Sequence, residues 1–542
     1  MMRRPKSTWI VLSLLFAGLL GYWLARSATP ETKVGAGETQ ERRPVRTSVV
    51  EETERRYRVG DREDAFRFDQ DALDEGALVG QRALVFADRD ALERFLARAG
   101  DGIVILGRLD ALNALRVSFL NYDDLAGLLD GTEEESFIYP VYLPDPVGGS
   151  VQAGAVGMGN QLLDWLGITG DNSMAGKGVK IAVLDTGISQ HSALRGSITS
   201  INLVDLPGNL ADWNGHGTAV ASLIAGSNSW VPGVAPGSDL ISVRIANDQG
   251  SSDSFTLAQG IIAAADAGAQ IINISMASNG DALVVRNALE YAQSKGALVI
   301  ASAGNDGYNQ VSYPAANAGV IAVGAVDATG SHLAFSNTGS AIAVAAPGYD
   351  VNAAWTGNQA VGFTGTSASA PIVAGAVAYT MTQAGSGNLT STQAWELIRT
   401  NLNDGGAPGA DSVLGGGTLD LGRVVNAGTP GIYDAALASH WVAGPTEEVP
   451  YTHLQVTVQN RGTETLINTA VNINTGFSTA PINITTLAPG EIRTLTIPIN
   501  DSRLQASESF QFDSTVSLSG GQTDSNPSND RRVETFVPAG SQ

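Results

Sequence analysis

The sequence predicts an α/β protein built on a doubly wound parallel sheet, with a small α+β unit before it and an all-β sandwich after it. Three observations predict this. Short, continuous apolar runs alternate with helical stretches between Lys180 and Gln383, as in strands buried on both faces. Ahead of them, about 70 residues repeat the order strand, helix, strand, strand, helix, strand, the split βαβ or ferredoxin-like pattern. Beyond Gly428-Thr429-Pro430, apolar residues alternate with polar ones at period two, as in a β-sandwich.

The elements follow in order. Arg3, Arg4 and Lys6 precede the apolar run Trp9 to Leu24, so residues 1–28 read as an export signal or an uncleaved membrane anchor. Either places the rest of the chain outside the cytoplasm. Residues 29–76 form a solvated linker, roughly half charged as far as Asp64. The small unit spans 77–147. Its strands are Arg82 to Ala87, Ile103 to Leu109, Ala114 to Leu120 and Phe137 to Leu143. Its helices are Asp90 to Ala99, capped by Asp88 or Asp90, and Tyr122 to Leu129. Such a unit is marginally stable alone, and its place before a larger domain suggests a folding assistant or inhibitor. Of the 86 charged residues, 44 lie in the first 157 positions, which puts a boundary in the glycine-rich stretch Gly148 to Gly159.

In residues 158–428 the expected strands are Lys180 to Leu184, Leu240 to Val243, Ile271 to Ile274, Leu298 to Ala301 and Ile321 to Val323. Helices are expected at Phe255 to Ala267 and Val284 to Lys295. Ser367 to Gln383 reads as a buried helix of small residues. Residues 432–538 form the sandwich, with inward-facing Leu454, Val456 and Val458, then Ile482 and Ile484, then Ile492, Leu495 and Ile497, then Phe510, Phe512, Val516 and Leu518.

Composition excludes several classes. The 542-residue chain carries a formal charge of −22, which repels phosphate backbones and argues against nucleic-acid binding. It has no cysteine, so disulfide scaffolds, cysteine nucleophiles and thiolate metal sites are out. Five histidines and no H-E-x-x-H exclude a zinc protease of that type.

Three motifs carry chemistry. Val183-Leu184-Asp185-Thr186-Gly187 puts an aspartate at the C-terminal end of a parallel strand, where open α/β sheets place their sites. Asn214-Gly215-His216-Gly217-Thr218 runs into an alanine-rich helix. Gly365-Thr366-Ser367-Ala368-Ser369-Ala370-Pro371 places serines at another helix start. Each alone has a plain structural reading, as a cap or a turn. D-T-G also occurs in aspartic proteases, but those need a second carboxylate motif, and none is present. Together the three supply Asp, His and Ser in that chain order. A serine hydroxyl needs a base, an imidazole provides one near neutral pH, and a carboxylate fixes the imidazole tautomer. The serine motif lacks the second glycine of G-x-S-x-G, which counts against a lipase or esterase.

With these motifs in this order, residues ~158 to ~428 resemble the subtilisin-like (subtilase) serine protease domain. The resemblance covers about half the chain and implies an exported serine endopeptidase made as a self-processing zymogen. It makes Asp185 the orienting carboxylate, His216 the general acid/base and Ser367, directly after G-T, the nucleophile in preference to Ser369. Asn305 in Ser302-Ala303-Gly304-Asn305, with the backbone N–H of Ser367, would form the oxyanion hole. The substrate-binding residues it implies are Ser251 and Ser252, beside the extended substrate, and Ser275, Met276, Ala277, Ser302, Ala303 and Gly304, around the pocket for the residue before the cut. Ser312 to Ala315 would lie near the pocket base. Ala277 stands where many relatives carry glycine, and its methyl narrows the pocket toward small or medium apolar side chains. Asp253 would disfavour acidic peptides. His191 is expected to be structural.

The α+β unit resembles the family's inhibitor-like pro-domain, its own intramolecular inhibitor. Phe137 to Pro146 would be the tail entering the cleft, cut between about Leu143 and Met158. No cofactor is required. Structural calcium is common in the family, but Gly226 to Trp230 lacks carboxylates and Asp524 to Asp530 is equally a solvated turn, so no metal site is assigned. The sandwich resembles adhesion-type (CARDB-like) domains and suggests cell-surface or polymer contact; the other partners are protein or peptide substrates. Two rival readings are a surface-binding protein with a degenerate protease domain and a non-proteolytic acyl hydrolase on the same triad.

Overall fold

The computed structural model describes residues 70–144, 155–204, 212–383, 389–443, 451–475, 479–499 and 510–536. The apolar N-terminal segment, the linker as far as residue 69 and most of the expected cleavage window lie outside the described residues. Among the described residues no helix is long and apolar enough to cross a membrane.

A short helix α1 (Gln70–Asp74) leads into β1 (Gln81–Phe86). Asp88 then caps α2 (Arg89–Arg98), its carboxylate accepting the Ala91 N–H at 2.8 Å. Next come β2 (Ile103–Leu109), β3 (Ala114–Phe119), α3 (Tyr122–Ala126) and β4 (Glu133–Phe137). The four strands pair antiparallel in the order β2-β3-β1-β4. Leu84, Leu115 and Phe119 of the strands share one buried cluster with Leu92 and Phe95 of α2 and Leu125 of α3. This core continues into that of the larger domain. A Cβ on Gly107 of β2 would come within 2.7 Å of the Phe255 ring of that domain. The small unit therefore completes its core on its neighbour, which answers its marginal size.

One expected strand is corrected. Phe137 to Leu143 does not run as a single strand. β4 ends at Phe137, and β5 (Pro140–Tyr142) leaves the sheet to pair elsewhere. Pro140 has no N–H to continue a ladder, so the apolar run breaks where the chain changes partner.

The central domain opens with α4 (Leu162–Trp165) and continues through β6 (Lys180–Asp185), β7 (Ile198–Asn202), α5 (His216–Ala225), β8 (Asp239–Arg244), β9 (Ser251–Asp253), α6 (Ser254–Asp266), β10 (Ile271–Ile274), α7 (Leu283–Ser294), β11 (Leu298–Ser302), β12 (Val320–Val326) and β13 (Ile342–Pro347). A hairpin, β14 (Val351–Trp355) and β15 (Gln359–Phe363), precedes α8 (Thr366–Gln383), α9 (Ser391–Arg399) and α10 (Leu421–Asn426). Seven strands form one sheet in the order β13-β12-β11-β10-β6-β8-β7, every pair parallel. Side chains alternate across it, as the strand period demands. Ala182 and Leu184 of β6 face α6 and α7, while Ile181 and Val183 face α5 and α8. Residues 366–381 of α8 are all buried, because its Ala, Gly and Ser side chains let the helix lie close under the sheet.

The C-terminal part has seven strands: β16 (Ala435–Ala443), β17 (His453–Asn460), β18 (Leu466–Asn474), β19 (Thr479–Leu487), β20 (Ile492–Pro498), β21 (Phe510–Ser517) and β22 (Arg531–Phe536). They form two antiparallel sheets, β16-β17-β20 and β19-β18-β21-β22. Leu454, Val456 and Val458 of one sheet share a core with Val471, Ile473, Phe512 and Val516 of the other. β16, β18 and β22 carry no strong alternating apolar signal and were not expected from the sequence.

Candidate active site

Asp185 closes β6 at the C-terminal edge of the parallel sheet and is fully buried. One of its carboxylate oxygens accepts the Thr186 N–H at 2.8 Å and the Thr186 hydroxyl at 3.2 Å. His216 is the first residue of α5. Its Nδ1 lies 2.9 and 3.0 Å from the two Asp185 oxygens. That contact leaves Nε2 as the other face of the ring. Phe363 packs against the imidazole in a T-shaped contact, with centroids 5.2 Å apart.

Two glycines permit this approach. Gly215 has φ +99°, and a Cβ there would strike the Trp355 ring at 2.3 Å. A Cβ on Gly217 would meet the Gly187 carbonyl at 2.1 Å. Any larger residue at either position would push the histidine turn off the aspartate strand.

Beneath this turn lies a residue that sequence reasoning missed. Asp212 is fully buried. It accepts the Thr186 hydroxyl at 2.9 Å, the Gly215 N–H at 2.8 Å, and the Thr218 N–H and hydroxyl at 2.9 and 2.7 Å. One carboxylate therefore ties the Asp185 strand to the His216 helix. Its only sequence signal is its place four residues before His216, which reads equally as a loop aspartate.

Ser367 stands in the first turn of α8 and is buried. Its hydroxyl donates to the Ser275 carbonyl at 3.2 Å, and the Ser275 hydroxyl donates to the Ser367 carbonyl at 3.2 Å. The second bond replaces a helical one, since Pro371, four residues on, has no N–H to give that carbonyl. Ser369 points elsewhere, donating to the Ala346 and Pro347 carbonyls at 3.0 and 3.2 Å. The structure thus places Ser369 in packing and Ser367 at the site.

Asn305 follows β11 and is fully buried. Its side-chain oxygen accepts the Thr366 N–H and hydroxyl, both at 2.8 Å. This fixes the amide orientation and aims Nδ2 outward. There Nδ2 donates to the Pro144 carbonyl at 2.5 Å.

Pro144 belongs to the tail of the N-terminal unit. Tyr142 exchanges two backbone bonds with Ala277, each 2.9 Å, and the Leu143 N–H reaches the Gly250 carbonyl at 3.1 Å. On its other side β5 pairs antiparallel with β9: Tyr142 with Ser251, Val141 with Ser252 and Pro140 with Asp253. The tail is therefore the middle strand of a three-strand ribbon ending at Asn305. The Ser252 hydroxyl is turned away, donating to the Ile245 carbonyl at 2.6 Å.

Of the other pocket residues, Ser275 and Ala277 line this ribbon, while the Met276 side chain is buried in the core cluster. Ser302, Ala303 and Gly304 continue from β11. The Ala303 carbonyl accepts the Ser312 N–H at 2.9 Å, which brings Ser312 beneath Gly304. The Asp253 carboxylate caps α6, accepting the Phe255 and Thr256 N–H groups at 3.0 Å, and in the unprocessed chain it pairs with Arg116 of β3 at 2.7 Å.

His191 bridges loops, with Nε2 2.8 Å from the Gln359 carbonyl and Nδ1 accepting the Ala193 N–H at 3.0 Å. His440 and His453 lie in the sandwich strands. Among the described residues no group of three or more acidic or histidine side chains is arranged to hold a metal ion. In the 524–530 stretch, Asp524 accepts the Ala435 and Asn526 N–H groups at 2.8 and 2.7 Å.

Comparison with known proteins gives this geometry its setting. Residues 176–417 match the Subtilase family profile, Peptidase_S8. The chain is 38% identical over 250 residues to a thermostable alkaline protease of Halalkalibacterium halodurans, covering 46% of this chain and 68% of that protein. It is 39% identical over 214 residues to Subtilisin Savinase of Lederbergia lenta, covering 38% of this chain and 78% of that protein. It is 40% identical over 217 residues to alkaline elastase YaB of a Bacillus species, covering 39% and 56% respectively. A parallel sheet with Asp185, His216 and Ser367 at one edge, and this degree of identity across it, lead to one conclusion: the chain belongs to the Subtilase family and is a serine-type endopeptidase.

Proposed function

We propose that Ser367 is the nucleophile, His216 the general acid/base and Asp185 its orienting carboxylate. Asn305 and the Ser367 N–H would stabilise the oxyanion. The observation that carries this reading is the Asn305 amide donating to a backbone carbonyl, that of Pro144, at the end of an extended strand beside Ser367. In the reaction His216 takes the Ser367 proton through Nε2 while Nδ1 stays on Asp185. The acyl carbonyl electrons move onto the oxygen facing Asn305. The leaving amine takes the proton from His216, and water then hydrolyses the acyl-enzyme. The buried Asp185 keeps the tautomer fixed and stabilises the transient imidazolium.

The N-terminal unit acts in this reading as an intramolecular inhibitor, and the chain is an exported, self-processing zymogen. Its tail already occupies the groove between β9 and Ala277, which is how an extended peptide adds to an exposed strand. The Ala277 methyl points to preference for small or medium apolar residues before the cut. The test is turnover of peptide libraries by processed protein, with a fluorophosphonate label read by intact mass. Wild type should be labelled once and lose activity, and Ser367→Ala should do neither. Labelling that persists in Ser367→Ala would refute the nucleophile. Strong preference for Phe, Tyr or basic residues would refute the pocket.

A further inference from the structure

The tail ends on a proline, and that has a chemical consequence. Tyr142 and Ala277 exchange both backbone hydrogen bonds, so they form a hydrogen-bonded pair of an antiparallel ladder. Two residues further along each strand, the same register sets Pro144 opposite Ser275. A residue with an N–H at position 144 would donate to the Ser275 carbonyl. Pro144 has none. The Ser275 carbonyl instead accepts the hydroxyl of Ser367 at 3.2 Å. The nucleophile's proton is thereby directed at a carbonyl that cannot take it, not at the imidazole that can.

We infer that Pro144 is the residue whose carbonyl Ser367 attacks in self-processing, and that its missing N–H makes this cleavage slow. The inference rests on the reading of Ser367 as nucleophile. The bond broken is the one after Pro144, to Asp145. Ser367 Oγ forms a bond to the Pro144 carbonyl carbon and gives its proton to His216 Nε2. The carbon–nitrogen bond to Asp145 breaks, and His216 returns the proton to the Asp145 amine. Water then splits the ester, releasing a fragment that ends in the Pro144 carboxyl group and restoring Ser367. Until that happens, the buried Pro144 holds the groove with the nucleophile parked. The geometry thus assigns to one side chain both the position of the cut and a delay before it.

The experiment follows intact mass against time for the full chain as wild type, Pro144→Ala and Pro144→Leu, with a Ser367→Ala counterpart of each as the uncleaved control. Alanine and leucine restore the N–H but differ in size, so a shared effect reports the N–H. Restoring a hydrogen bond of ordinary strength predicts acceleration of a few-fold to about tenfold in both. Wild type should yield a fragment ending at Pro144 and a partner beginning at Asp145. A fragment with another end overturns the bond assignment. Rates at or below wild type in both variants overturn the delay.

Processed protein should also cut a peptide of residues 139–148 slowly, its alanine-144 analogue faster, and its N-methylalanine-144 analogue as slowly as proline. Equal rates for the alanine and N-methylalanine peptides overturn the delay without relying on the folding of any variant. Peptide cleavage with no processing of any full-length form overturns the placement of the tail as a substrate. Cleavage of the Ser367→Ala forms would instead count against the nucleophile reading, and is distinguishable for that reason.

Discussion

Asn305 binds in two directions at once: inward to Thr366 through its oxygen and outward to the Pro144 carbonyl through its nitrogen. Replacing it with alanine removes a preorganised donor from a buried site. Turnover should fall about 10²–10³-fold, a magnitude known from a subtilisin, with a much smaller change in KM. Steady-state kinetics on a peptide ester and amide check this. Asp212 makes a different prediction. Asp212→Ala leaves buried Thr218 and Gly215 donors without their partner, at about 1–3 kcal/mol for each group left unpaired. Thermal unfolding in the Ser367→Ala background should show a loss of about 3 kcal/mol or more. The candidate residues Asp185, His216, Ser367 and Asn305 were legible because their short motifs, each with a plain structural reading alone, occur together in one chain order. Asp212 was not legible. Three of its four donors lie on Gly215 and Thr218, within the same turn, and the fourth comes from Thr186, which only the fold brings beside it.

At the scale of elements, the five inner parallel strands were readable because they are buried and continuously apolar; the edge strands β7 and β13 were not expected, and β7 is largely exposed. The ribbon at the cleft was not readable either. Phe137 to Leu143 looks like one strand, and only the structure shows that the chain changes partner before Pro140. Asp253 joins two elements there, capping α6 and holding Arg116. Asp253→Ala should lose the cap, worth about 1 kcal/mol, together with the partly buried ion pair. In unprocessed Ser367→Ala protein this should appear as a lower unfolding midpoint and faster amide exchange in β3 and α6. In the proposed processed form Arg116 is gone with the N-terminal unit, and only the cap should be lost. A substitution with equal effect before and after processing would contradict the pairing.

At the scale of the molecule, the sandwich is seated on the catalytic domain by buried polar groups. Gln459 accepts the Asp404 N–H and donates to the Leu402 carbonyl, both at 3.1 Å. Arg423 donates to the Leu402 carbonyl at 2.7 Å and the Arg461 carbonyl at 3.2 Å. Burial lowers the Arg461 guanidinium to about 10 and raises the Asp404 carboxyl to about 7. Asp404 binds its proton more tightly folded than unfolded, so its contribution to stability is lost as pH rises from about 4 through about 7. Asp404→Asn should flatten that limb in pH-dependent unfolding and leave stability below pH 4 nearly unchanged. His440 works in the opposite sense. Burial, reinforced by Arg532 and opposed by Asp513, lowers it to about 4. Its contribution is present above the ordinary histidine range and is lost as pH falls from about 6.5 toward 4. His440→Gln should remove that acid limb.

We propose that this chain is a peptidase whose first substrate is its own tail, cut by Ser367. Intact-mass analysis of wild type beside Ser367→Ala tests it most directly. Wild type should lose its N-terminal unit while Ser367→Ala, folded and held under the same conditions, stays whole. If both stay whole, or both are cut alike, the claim is contradicted.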